Sequence, residues 1–135
     1  MNGAPIDWRQ LFTIPAGRTS RGPFWIAVAT LFTLFALYEA VAGPDTKLLT
    51  FWFVYPLLLA SGACVLSKRL HDRGRSGWWA ALVLFGEVLV WTAPNGARFV
   101  LALPVLLWAL VELGLLPGEQ GANRFGPSPL ATLTA

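Results

Sequence analysis

Charge is scarce in this chain. Only 13% of its 135 residues are Asp, Glu, Lys or Arg, about half the share, roughly 25%, of an ordinary soluble domain. With 56% hydrophobic residues, a soluble fold of this length has too little polar surface to close over its apolar side chains. Lipid is therefore the expected solvent for much of the chain. Cysteine occurs once, as Cys64 inside an apolar run, which excludes an intrachain disulfide and leaves a small packing residue. Histidine also occurs once, as His71. No second His or Cys stands at ligand spacing beside it, so neither a metal site nor a cofactor is expected. The length allows one domain.

What is present instead is long apolar runs. A membrane helix needs about 20 mostly apolar residues, and four stretches qualify: 23–42, 48–67, 77–93 and 97–116. The links GPDTK and PNG are short and made of turn formers, so neighbouring helices should run antiparallel. Backbone groups in lipid must be paired internally, which makes a helical bundle the natural outcome. The basic residues are unevenly divided. Arg9, Arg18, Arg21, Lys68, Arg69, Arg73, Arg75 and Arg124 fall on one side, and only Lys47 and Arg98 on the other. The positive-inside rule puts the first group, and with it both termini, in the cytoplasm. Ala40-Val41-Ala42 before Gly43 has the small-x-small pattern of a signal-peptide cleavage site. Cleavage there would discard the first of four well-matched spans, so an uncleaved first helix is expected.

Two segments lie outside the spans. In APIDWRQLFTIPA, residues 4–16, Asp7 stands where an N-cap belongs and Trp8, Leu11 and Phe12 follow at helical spacing. This reads as a short interfacial helix. The tail, 117–135, is broken by Pro117, Gly118, Gly121, Gly126, Pro127 and Pro129 and cannot be a regular helix.

Three polar motifs share the basic side: GRTSRGPFW at 17–25, KRLHDRGRSGWW at 68–79 and GEQGANRFGPSP at 118–129. Together they resemble the DUF805 family of small bacterial inner-membrane proteins. The residues that carry the likeness are Gly17, Arg18, Arg21, Phe24 and Trp25; Arg69 to Asp72 with Arg75, Ser76, Trp78 and Trp79; and Gly121, Asn123 to Pro127 and Pro129. One departure is Pro23, where the family often has an acidic residue. The resemblance implies a four-helix protein of the bacterial inner membrane, and it implies no activity.

The His-Asp pair is not a catalytic dyad by this reading. Neighbours on a helix point about 100° apart, so Asp72 cannot orient His71 as a base, and no nucleophile elbow is near. Asp72 is expected to pair with an arginine of the loop or of the N-terminal motif, and His71 to bond a tail carbonyl. The arginines read as anion handlers. Ser76 or Gly77 precedes the third span, Arg73 and Arg75 flank its positive end, and Trp78 and Trp79 suit interface depth. With Arg18, Arg21 and Arg69 these residues make a candidate site for anionic lipid headgroups. In the tail, Asn123, Arg124 and Phe125 are expected to fold back over the loop, joining His71 and Asp72 in one cytoplasmic platform.

One acid is placed differently. Glu87 stands ten residues into the third span, roughly 15 Å deep at 1.5 Å per residue, with no cation at that level. A proton or cation pathway and a neutral helix-bonding role both fit it. The small cluster Ala60 to Ala63 allows close helix approach, within the chain or with a second copy. The expectation is a non-enzymatic all-α membrane protein of four antiparallel spans whose platform binds anionic lipids or a protein partner. A small transporter using Glu87 and a lipid-headgroup enzyme are the alternatives. Nucleic acid is not an expected partner, since the basic residues hug the membrane.

Overall fold

The computed structural model describes residues 6–92 and 94–129, without the side chains of 87, 89–92, 95, 96, 99 and 101. The described chain is all helix and turn, apart from one isolated bridge between Asn123 and Gly126. Helix α1, Trp8–Thr13, starts as the sequence suggests: Asp7 caps it, its Oδ1 accepting from the Gln10 amide at 3.0 Å. Helix α2 runs Arg21–Val41 with Pro23 in its first turn, where a missing N–H costs no helical bond. Helix α3 runs Pro44–Asp72, opening on Gly43 and Pro44, with proline at the position that tolerates it best. Helices α4, Trp78–Thr92, and α5, Asn95–Ala109, follow. A π-helical segment, Leu110–Leu115, then leads to an irregular tail.

α2 and α3 hold 21 and 29 residues and are apolar enough to cross a membrane. At 1.5 Å per residue they exceed the ~30 Å of hydrocarbon. α4 and α5 have 15 residues each, which by themselves reach about 22 Å. Phe32, Val41, Leu48, Trp52, Leu57 and Leu103 stand well exposed along these helices, which suits a lipid solvent and would be an aggregation hazard in water.

One boundary differs from the sequence reading. Residues 68–72 belong to α3, and only 73–77 form the turn. The helix stops at Arg73, whose amide still bonds the Leu70 carbonyl at 2.9 Å, and the chain reverses at Gly74, where φ is +69°. Lys68 to Asp72 are thereby held on a rigid frame. Adjacent helices pack in chain order, α1 and α2 on α3, α3 on α4, α4 on α5, and the π-helical segment returns to α2 and α3. The best-buried apolar residues, Leu11, Phe24, Ala27, Val65, Leu70, Ala80 and Leu113, collect at this end of the bundle. This small core supports the three motifs.

Candidate functional site: a polar knob at one end of the bundle

The end of the last helix sets the chemistry. A helix leaves its last four carbonyls unpaired, with partial negative charge concentrated on them. Here five successive carbonyls are taken by side chains. Arg69 Nε donates to Leu113 at 2.7 Å, Trp25 Nε1 to Gly114 at 3.3 Å and Arg21 Nη1 to Leu115 at 3.0 Å. Arg69 Nη2 donates to Leu116 and Arg73 Nη1 to Pro117, both at 2.6 Å. The N-terminal and central motifs together close this helix end. The close fit requires glycine at 114, since a Cβ there would come within 2.5 Å of Trp25 Cζ2.

Asp72 is the counter-charge at the centre, and its residue is 3% exposed. Its Oδ1 accepts from Arg18 Nε at 3.1 Å and lies 3.0 Å from Nη2, while its Oδ2 accepts from Arg69 Nη1. Both guanidinium groups are buried, Arg69 completely. Arg18 also holds the tail, donating to the carbonyls of Glu119 at 2.6 Å, Gly121 at 2.7 Å and Gly126 at 3.3 Å. Two buried cations on one buried carboxylate would leave an excess charge, but these oriented carbonyl dipoles absorb it. The pairing of Asp72 with the N-terminal motif is as the sequence suggests.

His71 is tied differently from the expectation. Its Nδ1 bonds the Gly17 carbonyl at 3.0 Å and not a tail carbonyl, because Gly17 lies beside the last turn of α3. A carbonyl only accepts, so Nδ1 carries the hydrogen and Nε2 faces Gly77. The tail meets His71 through its ring: Phe125 stacks on it at 3.9 Å and 10°, with the Arg124 guanidinium 4.7 Å from the Phe125 centroid. His71 lies beyond the apolar stretch 48–67. Burial pushes its imidazole below the ordinary value, the Gly17 bond opposes this, and the Arg124 charge adds to it. Asn123 Nδ2 donates to the His71 carbonyl at 3.0 Å, and its Oδ1 accepts from the Phe125 amide at 2.9 Å, which shapes the tail turn.

Arg73 and Arg75 are brought together by an acid outside the motifs. Glu112, 8% exposed on the π-helical segment, accepts from Arg75 Nε at 2.8 Å and Arg73 Nη2 at 3.4 Å. By sequence Glu112 stands about one turn from the inner end of the span 97–116, where a side chain can reach headgroups; the structure turns it inward onto the two arginines. The only signal in the sequence was its place near the basic side. Arg73 Nε is buried without a hydrogen-bond partner among the described residues. Ser76 Oγ accepts from the Trp78 amide at 3.4 Å. Trp78 is 80% exposed and Trp79 44%, and Trp79 lies near Trp108. Lys68 ties α1 down by donating to the Gln10 carbonyl at 2.7 Å.

The structure thus brings Arg18, Arg21, Arg69, His71, Asp72, Arg73, Arg75, Asn123, Arg124 and Phe125 into one knob. Glu87 lies on α4, but its side chain is outside the described residues. At the far end, Glu39 accepts from Lys47 at 2.7 Å and from Tyr55 at 2.6 Å, which ties α2 to α3. A Cβ on Gly62 would meet nothing within 4 Å, so at Gly62 the small-residue cluster on α3 is not in close packing. Among the described residues no three His, Cys, Asp or Glu side chains are grouped to hold a metal ion.

The chain matches the profile described as "Protein of unknown function (DUF805)" over residues 12–127. It is 37% identical over 120 residues to the uncharacterized protein YiiR of Escherichia coli K12, covering 82% of each chain. It is 30% identical over 122 residues to the inner membrane protein YhaH of the same strain, covering 84% of each. No solved structure matches.

Proposed function

The chain belongs to the DUF805 family, and from that membership and the knob we propose a non-enzymatic inner-membrane protein whose knob sits at the cytoplasmic surface among lipid headgroups. The reading takes four antiparallel spans, the two shorter ones lengthened by the π-helical segment and the links, with both termini inside. One observation carries it: aromatic and cationic side chains that remain outward rim the knob. Trp8, Trp25, Trp78 and Trp79 are each at least 41% exposed around it, the pattern of an interfacial belt. Arg75, whose side chain is 43% exposed, and Arg21 and Arg124 turn outward beside them. Arg18 and Arg69 are structural in this reading, since their donors are spent inside.

The same bonds speak against turnover at the His-Asp pair. Both Asp72 oxygens are held by arginines, and His71 is committed to Gly17 and Phe125. Fusions of a cytoplasm-active and a periplasm-active reporter to the tail test the sidedness. Native mass spectrometry of the protein released from its own membrane tests the headgroup contact. Wild type should carry anionic lipid that an Arg75→Gln variant loses. Equal lipid on both forms, or a reporter active only outside, would overturn the reading.

A further inference from the structure

Arg73 and Arg75 share one acid, and the sharing is uneven. Glu112 Oε1 accepts from Arg75 Nε at 2.8 Å and lies 3.4 Å from Arg73 Nη2, while its Oε2 accepts from no described residue. Nε and Nη2 are the two donors of one guanidinium edge, which can take a carboxylate through two parallel bonds. On Arg73 that edge is half used. Nη2 holds the long contact, and the adjacent Nε is buried with no hydrogen-bond partner among the described residues. Arg73 Nη1 is held by the Pro117 carbonyl at 2.6 Å, which keeps the group beside Glu112. Arg75 is the reverse case. Its side chain is the more exposed of the two, and among the described residues its Nη groups have no protein partner. The backbone amides of both arginines bond the Leu70 carbonyl at 2.9 Å, so any exchange between them is made by side chains alone.

A group that draws Arg75 away would not strand Glu112. A buried carboxylate left unpaired is costly, but here the half-used edge of Arg73 stands beside it. Moving onto that edge gives the buried Nε the partner it lacks. The incoming group must be an anion, because it meets a guanidinium. Two arginines and one glutamate leave one positive charge in excess, and a phosphodiester of single negative charge balances it. Arg75 stands three residues before the exposed Trp78, which on the headgroup reading puts it at the depth of lipid phosphates. We propose, resting on that reading, that Arg75 binds a phosphate group, that Glu112 occupies it in the unliganded protein, and that Arg73 takes the carboxylate when phosphate displaces it.

The test uses the full chain purified in detergent. It is titrated separately with phosphatidylglycerol, phosphatidylcholine and inorganic phosphate, with bound species read by native mass spectrometry. Phosphatidylglycerol should bind tighter than phosphatidylcholine, whose choline returns a cation to the arginines. Glu112→Gln weakens the internal competitor and should tighten phosphatidylglycerol binding about five-fold, the strength of one ion pair of this kind. Arg73→Lys keeps the charge and loses the two-donor edge, so it should weaken binding by a similar factor. On the Glu112→Gln background there is no carboxylate for that edge to take, and Arg73→Lys should have no further effect. Inorganic phosphate binding as tightly as the lipid supports the exchange and assigns it to soluble phosphate; much weaker binding supports it with lipid as the source. Glu112→Gln that binds no tighter than wild type overturns the exchange and spares the surface reading. So does Arg73→Lys that changes nothing, or that weakens binding equally on both backgrounds. Wild type and Glu112→Gln that both retain no anionic lipid overturn both.

Discussion

Replacing Asp72 by asparagine keeps the shape of the knob and removes its central negative charge. The carboxylate is buried and opposes two buried guanidiniums, with side-chain exposures of 1% for Arg18 and 0% for Arg69. Removing one partner of a buried ion pair costs about 3–5 kcal/mol, because the other charge stays desolvated and unpaired. Two arginines are stranded here, but six contacts to carbonyls continue to hold them: Arg18 to 119, 121 and 126, Arg69 to 19, 113 and 116. The lower end, about 3 kcal/mol, is therefore expected. For a chain of this size that amounts to a fall of roughly 10 °C in melting temperature. Thermal unfolding of detergent-solubilised protein, followed by intrinsic tryptophan fluorescence, measures it, with seven tryptophans as reporters. Glu39→Gln, at an exposed pair with Lys47, is the control and should melt with wild type. An Asp72→Asn protein that melts within about 2 °C of wild type would refute the argument. The two arginines would then have some other anion as their counter-charge.

Other outcomes follow from the same contacts. A Cβ on Gly118 would collide with the Asp72 carboxylate, so Gly118→Ala should loosen the tail, and limited proteolysis should cut it within 117–129 faster than in wild type. Gly114→Ala should force Trp25 off its carbonyl, seen as a shifted tryptophan emission that a Gly22→Ala control lacks. For His71, a folded pKa below the unfolded value, about 6.5, means stability is full above the unfolded value and falls with pH through the folded one. Melting temperatures from pH 8 to pH 5 should drop more for wild type than for His71→Gln; parallel curves would show that His71 does not contribute to the pH dependence.

The sequence makes some of this plain and conceals the rest for definable reasons. Helix starts are local, so Asp7 as a cap and Pro44 at the head of α3 can be read from one or two neighbours. That the motifs meet also follows, since the uneven arginines put them on one side. The partners do not. Gly17 and the carbonyls of 113–117 are backbone acceptors, and any residue type supplies a carbonyl. The inward direction of Glu112 is not legible in the sequence because it depends on the π-helical segment. The polar run 68–72 reads as loop by composition, whereas buried bonds hold it in α3.

A motif dense in arginine and glycine invites a reading as a ligand site, but geometry gives most of these residues another task. On the four-span reading proposed above, the carbonyls of 113–117 end a membrane helix where water is limited, and an unpaired buried carbonyl is costly. Arginine suits that position because its planar fork reaches two acceptors at once: Arg69 spans Leu113 and Leu116 from a single side chain. Glycine suits the facing positions because Trp25 and Asp72 approach the backbone at 114 and 118. The consequence concerns how substitutions are interpreted. Loss of a phenotype on changing Arg18 or Arg69 would report a collapsed knob, whereas Arg21 and Arg75, each bonded through one nitrogen among the described residues, are the positions at which a loss of function would report on binding.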